Sequence, residues 1–162
     1  MSISEINRIL KTEAVRLGLC DKWRDEVWGK ELDLNRLAEL YFKGSDFVIE
    51  HHYPSNASIK ALFERDFLRQ KGILVDDKWS LLNPTFAMVL GKSESKIRLN
   101  AYKVSQIYVR DDSHIEITAR HHSHAIVHLY ENAAAEVSVS DNATVRVLNH
   151  AKNTDTIYKR KT

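Results

Sequence analysis

The chain has 162 residues, of which 43% are apolar and 28% are charged, and its formal net charge at pH 7 is +2. These values are ordinary for a globular protein, and they argue against a disordered chain and against a polycation that binds nucleic acid or membranes by charge alone. The single cysteine, Cys20, cannot form a disulfide within the chain, which fits a reducing compartment. The sequence shows no secretion signal and no apolar stretch of the ~20 residues that cross a bilayer. We therefore expect a cytoplasmic protein without membrane contact.

The N-terminal part of the sequence carries helix signals. Ser2 and Glu5 have the spacing of a capping box, in which each side chain accepts a hydrogen bond from a backbone N–H at the start of a helix. Apolar residues follow at helical intervals until a glycine, a typical C-terminal stop. Asp21 and Asp33 can cap a second and a third helix. Residues 1–91 are thus predicted to form a mainly helical domain.

The predicted domain ends in a helix and a β-hairpin. Ser55 can cap a helix over residues 55–71, and two short apolar runs within residues 73–82 then flank a pair of aspartates, which favour turns. A helix followed by a hairpin is also the layout of a winged-helix DNA reader. Together with the basic tail at residues 159–161, this layout leaves nucleic-acid binding as an alternative function. The near-neutral charge of the N-terminal half disfavours it.

From residue 93 onward the sequence repeats every ten residues. The fifth position of each block is always β-branched: Ile97, Ile107, Ile117, Val127, Val137, Val147 and Ile157. The positions two before and two after are mostly apolar and those between are mostly polar, so an alternation of period two lies inside the period of ten. A fixed outer period indicates one structural unit stacked along an axis. Residues 92–162 are therefore predicted to form a β-solenoid, and the fold class of the whole chain is α+β.

Each block supplies one strand and one corner, so a coil needs two or three blocks. The small inward side chains favour two. The corner segments are rich in Asp and Asn, which tolerate a left-handed backbone and bond their own main chain. Near the C-terminus Asn149, Asp155 and Lys159 interrupt the apolar rows. They predict a polar terminal coil that prevents end-to-end stacking, and the helical domain is expected to cover the other end.

The walls of such a solenoid are rigid and carry regularly spaced side chains. This predicts a protein that works by binding a partner protein or by self-association, without catalysis and without a cofactor. Aromatic residues and arginine are frequent at interface hot spots. The side chains predicted to face outward and to bind the partner are Tyr108, Arg110, Arg120, His128, Tyr130 and Arg146.

Histidines give the second alternative function, which is binding of a metal or a small ligand. Five of the eight histidines lie between His114 and His128, and imidazole is a common ligand of zinc and other divalent ions. The weak candidates for ligands are His114, His122 and His124. No histidine spacing here matches a known zinc signature, and polar residues are expected at corners in any case, so no metal is predicted. No constellation of catalytic residues stands out either.

Several short segments give the chain a resemblance to other proteins. They are Leu17-Gly18-Leu19-Cys20 with Trp23, Tyr53-Pro54-Ser55, Gly72-Ile73-Leu74-Val75-Asp76 and Ile107-Tyr108-Val109-Arg110. In these segments the chain resembles a group of uncharacterised bacterial proteins associated with phages and mobile elements of gut bacteria. The resemblance implies a role in phage–host interaction, as a virion component or an intracellular effector. It implies no activity and no catalytic residue.

Overall fold

The chain folds into two compact units. The computed structural model describes residues 1–161, and the first unit is Met1–Glu64 while the second begins at Arg65. None of the helices in the described part of the chain is long and apolar enough to cross a membrane. The predicted order of helices followed by a β-solenoid of roughly ten-residue repeats is confirmed.

Three helices of the first unit begin where the sequence places their caps, but the predicted cap at Asp21 does not form, because the second helix has Lys22 at its N-cap position and no side-chain cap. The helices of this unit are α1 (Ile3–Arg16), a short π-helix (Trp23–Trp28), α2 (Leu34–Lys43), α3 (Ser45–His51) and α4 (Asn56–Leu62). The capping box is present, because the Glu5 N–H donates to the Ser2 hydroxyl at 3.2 Å and the Ser2 N–H donates to the Glu5 carboxylate at 3.0 Å. Asp33 caps α2 by accepting from the Arg36 N–H at 2.8 Å. Side chains thus satisfy backbone donors at both helix starts.

A buried asparagine ties α1 to the segment before α2. The Asn7 side chain donates to the Leu32 carbonyl at 2.8 Å, and its oxygen accepts from the Leu32 N–H at 3.0 Å and from the Trp28 indole at 3.1 Å. The Tyr53 hydroxyl donates to the Leu10 carbonyl at 2.6 Å, and burial raises the pKa of Tyr53 above its ordinary value. Because buried polar groups are costly unless they are paired, these bonds fix one arrangement of the helices.

The single helix predicted over residues 55–71 is wrong. The segment forms two helices, α4 and α5 (Arg65–Gln70). Ser55 caps α4 as predicted, but Phe63 is extended, with φ −127° and ψ 142°. The two compact units divide just after it, at Glu64. The apolar residues recur at helical spacing through the whole segment, so the sequence does not reveal the boundary between the two units. Each half of the segment can bury its apolar side chains in a different unit.

The second unit is a parallel β-solenoid with two sheets. The odd-numbered strands form one sheet, here called the odd sheet: β1 (Ile73–Val75), β3 (Phe86–Leu90), β5 (Val104–Val109), β7 (His124–Leu129) and β9 (Thr144–Asn149). The even-numbered strands form the even sheet: β2 (Leu81–Leu82), β4 (Glu94–Leu99), β6 (His114–Ala119), β8 (Ala134–Val139) and β10 (Asp155–Arg160). Neighbouring strands run parallel in both sheets. Successive strands alternate between the sheets, so two blocks make one coil, as the sequence favours.

The inner faces of the two sheets form the core of the solenoid. Ile97, Ile117 and Val137 lie opposite one another in the even sheet, and Ile107 and Val127 do so in the odd sheet. All five are at most 1% exposed. Full burial of one such side chain stabilises a fold by roughly 1.5–3 kcal/mol. The β-branched row recognised in the sequence is therefore the central row of the core.

The corners combine a left-handed residue with bonds between coils. Asp111, His121, Glu131 and Asp141 have φ values of 62°, 58°, 54° and 56°. The Asp111 carboxylate accepts from the Gly91 N–H at 2.7 Å, and the Asp141 carboxylate accepts from the His121 N–H at 3.0 Å. The left-handed corners were predicted, but these aspartates bond the main chain of the neighbouring coil as well as shaping their own. They thereby connect successive coils.

The hairpin predicted within residues 73–82 is wrong. β1 pairs in parallel with β3, and β2 pairs in parallel with β4. The aspartates at 76 and 77 therefore turn the chain from one sheet to the other and do not reverse it within one sheet. The solenoid strands accordingly begin at Ile73, earlier than residue 92. The sequence hides these first coils because their strands and corners differ in length from the later ones.

The last strand is shifted by one residue relative to the ten-residue frame. Tyr158 lies opposite Val137, and Ile157 lies opposite Glu136. Ile157 thus leaves the inner row where the sequence placed it and is 48% exposed. The cause is one additional residue in the corner between β9 and β10.

The terminal coil has a polar end whose side chains are hydrogen-bonded. Asn149 accepts hydrogen bonds from the hydroxyls of Thr154 at 2.9 Å and Thr156 at 3.3 Å. The Arg160 guanidinium donates to the Ala143 carbonyl at 2.9 Å. The polar end predicted from Asn149 is present, but Asp155 and Lys159 lie in the outward rows because of the shift.

Candidate functional site

The outer face of the odd sheet mixes aliphatic, aromatic and polar side chains, and its three long strands contribute no carboxylate to it. Its outward side chains alternate with buried ones along β5, β7 and β9. They are Val104, Gln106, Tyr108, His124, Ile126, His128, Thr144, Arg146 and Leu148. The permanent charge on this face is therefore positive and comes from Arg146. We call it the odd face.

The outer face of the even sheet has the opposite character, and we call it the even face. Its outward side chains on β4, β6 and β8 are Glu94, Lys96, Arg98, His114, Glu116, Thr118, Ala134, Glu136 and Ser138. Charges of both signs alternate on it, as is usual for a solvated surface. The two faces share one backbone geometry, so the difference between them lies in side-chain chemistry alone.

Four rings form a cluster at one end of the odd-sheet strands. Tyr108 and His128, which are partners in neighbouring strands, have near-parallel rings with centroids 4.8 Å apart. Tyr130 and His150 stack in the same way at 4.6 Å. Because parallel strands lie about 4.8 Å apart, identical positions in successive coils bring rings to stacking distance. We call these four residues the ring cluster.

The two histidines of the ring cluster are hydrogen-bonded to each other. His128 Nδ1 and His150 Nε2 are 3.0 Å apart, and the ring centroids are 5.3 Å apart with an angle of 13° between the planes. When two ring nitrogens are hydrogen-bonded, the ring centroids are farthest apart if both nitrogens lie on the line between them. The observed centroid distance is close to that maximum, so the two rings meet edge to edge. One nitrogen carries the shared proton and the other accepts it. His150 was not among the predicted site residues, although its twenty-residue separation from Tyr130 is the signal that places it here.

The residues predicted to bind a partner do not form a single patch. Tyr108, His128 and Arg146 lie on the odd face, and Tyr130 follows β7 at the neighbouring corner. Arg120 is exposed at the corner that follows β6 of the even sheet.

Among the predicted partner-binding residues, Arg110 differs most from its predicted exposure. It is only 2% exposed, and its Nε lies 3.3 Å from a carboxylate oxygen of Asp111. The expectation that Arg110 is presented outward is therefore wrong. Alternation assigns a direction to a side chain, but it does not predict whether that side chain is covered.

The three candidate metal ligands lie in different places. His114 is on the even face, and His124 is on the odd face with its Nδ1 2.6 Å from the Thr144 hydroxyl. His122 is exposed at the corner between β6 and β7, where its ring centroid is 5.9 Å from that of Tyr102. Because they belong to two faces and a corner, they do not form one coordination site.

The nucleic-acid alternative loses two of its three features, the helix and the hairpin, while the basic tail at residues 159–161 remains. The helix of residues 55–71 is interrupted, and the hairpin behind it does not exist. One of its basic residues, Arg69, is also engaged, because its guanidinium donates two hydrogen bonds of 2.8 Å to the Asp77 carboxylate. Hydrogen bonding to Arg69 holds the pKa of the Asp77 carboxyl below its ordinary value.

Comparisons of the chain with protein-family models, with curated proteins and with solved structures find no match.

Proposed function

We propose that this chain is a non-enzymatic interaction protein that binds a partner protein through the odd face. The observation that carries the proposal is the contrast between the two outer faces. The even face mixes charges of both signs, whereas the long strands of the odd face present aliphatic, aromatic and polar groups with one arginine and no carboxylate. Aromatic residues and arginine are enriched at interface cores, and charged residues of mixed sign are depleted there.

The rigidity of the odd face favours binding. Its side chains project from parallel strands bonded along their length to their neighbours, as in the six-residue pairing of β7 with β9. The Tyr108 and His128 rings are further ordered by stacking. Groups that are already ordered lose less conformational entropy on association, so a larger share of the contact energy appears as affinity.

The composition of the odd face also indicates the chemistry of its partner. Val104 is 52% exposed, and Ile126 and Leu148 are partly exposed. Arg146 supplies a positive charge that no carboxylate on these strands offsets. Complementarity calls for a partner surface that is apolar and carries acidic residues. The motif resemblance supports a phage or mobile-element setting for this interaction, with the protein in the cytoplasm or in a virion.

The test compares charge changes on the two faces. We expect Ile126→Glu and Arg146→Glu each to weaken partner capture at least about tenfold, since each places a negative charge where the partner is acidic or apolar. Glu136→Gln on the even face is the matched control and should leave capture unchanged. Circular dichroism and thermal unfolding verify that the variants fold. Capture that survives both odd-face changes, or that Glu136→Gln removes, would contradict the proposal.

A further inference from the structure

The even sheet carries its carboxylates in only one part of its outer surface. Along its four long strands they all lie in the first two outward rows, on Glu94, Glu116, Glu136 and Asp155. The third outward row, at the carboxyl ends of the same strands, holds Arg98, Thr118, Ser138 and Lys159. This row is therefore positive and rich in hydroxyls, although the even face as a whole mixes charges of both signs.

A fourth row continues the same pairing one step beyond the strands. The backbone N–H groups of Arg120, Ser140 and Lys161 donate to the neighbouring strand at 2.8, 3.0 and 2.7 Å. These bonds are those of a parallel ladder, so the three residues lie opposite one another and opposite Asn100. Ala119 is buried and Arg120, which follows it, is exposed, as alternation requires of an outward row. We call the third and fourth rows together the basic rows: Arg98, Thr118, Ser138, Lys159, Asn100, Arg120, Ser140 and Lys161.

The donors of the basic rows are available to a ligand. Within residues 1–161, the two arginines and two lysines of these rows form no ion pair with a carboxylate, and all four are exposed. The three hydroxyl groups of the rows likewise make no hydrogen bond to other groups of the described chain. Arginine, lysine, serine and threonine are the side chains that commonly contact phosphate oxygens in nucleic-acid complexes. From Arg98 to Lys159 the third row spans three interstrand steps, or about 14 Å.

An exposed tyrosine adjoins the basic rows. Tyr102 is 85% exposed and follows Asn100 by two residues, at the corner after β4. Its ring centroid is 5.9 Å from that of His122, which follows Arg120 by two residues at the next corner. The Asp141 carboxylate at the same edge of the solenoid accepts a backbone N–H at 3.0 Å and lies 3.4 Å from a nitrogen of a histidine ring. Aromatic rings beside a positively charged track are the feature on which unpaired bases stack.

The combination of these features favours one class of polyanion. An acidic peptide would use the cations but would leave the exposed ring without a flat partner. In a duplex the bases stack on one another and are closed to the ring, whereas a single strand offers phosphates and unpaired bases together. The net charge of the chain is only +2, so the attraction depends on the local concentration of charge in the basic rows and should weaken steeply with salt.

We propose that the basic rows and Tyr102 bind single-stranded nucleic acid, with phosphates against the cations and hydroxyls of the rows and a base stacked on the tyrosine ring. The site lies on the even sheet and its corner, so it does not depend on the partner interaction proposed for the odd face.

The experiment uses the full chain without a tag and fluorescein-labelled oligonucleotides of about 16 nucleotides: single-stranded DNA, single-stranded RNA and a DNA duplex. Fluorescence anisotropy at about 50 mM and about 200 mM salt should show at least one single strand bound more tightly than the duplex, with an affinity that falls as salt rises. Arg120→Gln should weaken binding several-fold, and Arg120→Gln with Lys159→Gln at least about tenfold with a shallower salt dependence, because phosphate contacts are lost. Tyr102→Ala should weaken binding at least about fivefold without changing the salt dependence, and Tyr102→Phe should retain most of the affinity.

Lys96→Gln is the matched control, since it also removes one positive charge from the even face but lies opposite Glu116, outside the basic rows, and it should bind as the original chain does. Thermal unfolding verifies that every variant folds. Four outcomes would overturn the proposal: no oligonucleotide binds at the lower salt concentration, the duplex binds as tightly as the single strands, Lys96→Gln weakens binding as much as Arg120→Gln, or polyglutamate displaces the labelled strand as effectively as the same strand unlabelled. The last result would assign the basic rows to an acidic protein.

Discussion

Ile107 in the odd sheet and Ile117 in the even sheet occupy equivalent positions in the core, and both are 0% exposed. The outward side chains beside them differ: Tyr108 follows Ile107, whereas Glu116 and Thr118 flank Ile117. The backbone and the inner rows are thus repeated from coil to coil, and the outer chemistry is not. In such a solenoid the interior determines the fold, and the proposed function depends on the contrast between the two outer faces.

The largest expected effect comes from substitutions in the inner rows of the two sheets, and it tests whether these rows contribute equally to the core. Ile107→Ala and Ile117→Ala should each destabilise the protein by about 3 kcal/mol, because each removes a fully buried branched side chain and leaves a cavity. Urea unfolding monitored by circular dichroism measures both values. If one substitution lowered the free energy of unfolding by about 3 kcal/mol and the other barely changed it, the two sheets would not contribute equally to one core. Their outer faces could then not be compared as two surfaces of the same scaffold.

The next effect concerns the end of the solenoid. Deleting one residue from the corner between β9 and β10 should restore the ten-residue frame, which turns Ile157 inward together with Asp155 and Lys159. Two charged side chains would then lie in the inner rows, so we expect the variant to unfold at a lower temperature than the original chain, because burying charged groups is costly. Thermal unfolding measures this loss, and an unchanged melting temperature would show that the one-residue shift does not serve to keep these charges in solvent.

The smallest effect is a dependence of stability on acid pH. Hydrogen bonding to Arg69 lowers the pKa of Asp77 in the folded state, so ionised Asp77 stabilises the fold above its unfolded pKa of about 3.9. This contribution should be lost as the pH falls below about 4 toward the folded pKa. Asp77→Asn should therefore show a smaller fall in melting temperature between pH 5 and pH 2.5 than the original chain. An identical fall in both would show that the pair contributes no such stabilisation.

The sequence predicts the repeating part of this fold well and its irregular parts poorly. The β-branched row from Ile97 to Val147 is visible because one register is repeated without interruption. The strands from Ile73 to Leu90 were missed as part of the solenoid because their corners are uneven in length. The position of Ile157 was wrong for a related reason, since a single additional corner residue reverses the direction of every side chain after it.

The candidate sites depend on contacts that a linear sequence does not contain. His150 was predictable from its spacing to Tyr130, because the two-block coil places them in neighbouring strands. The burial of Arg110 was not predictable, since alternation assigns side-chain direction and not exposure. The row formed by residues 78, 94 and 114 could not be predicted either, because the pairing of Lys78 with Glu94 lies outside the ten-residue frame.

The most direct test of the central claim is site-specific photo-crosslinking in the cells in which the protein acts. A benzophenone amino acid replaces Ile126 on the odd face in one variant and Glu136 on the even face in another. We predict that the variant at position 126 yields one discrete protein adduct, that Arg146→Glu removes this adduct, and that the variant at position 136 does not form it. An adduct from position 136 alone, or one from position 126 that persists with Arg146→Glu, would contradict the assignment of partner binding to the odd face.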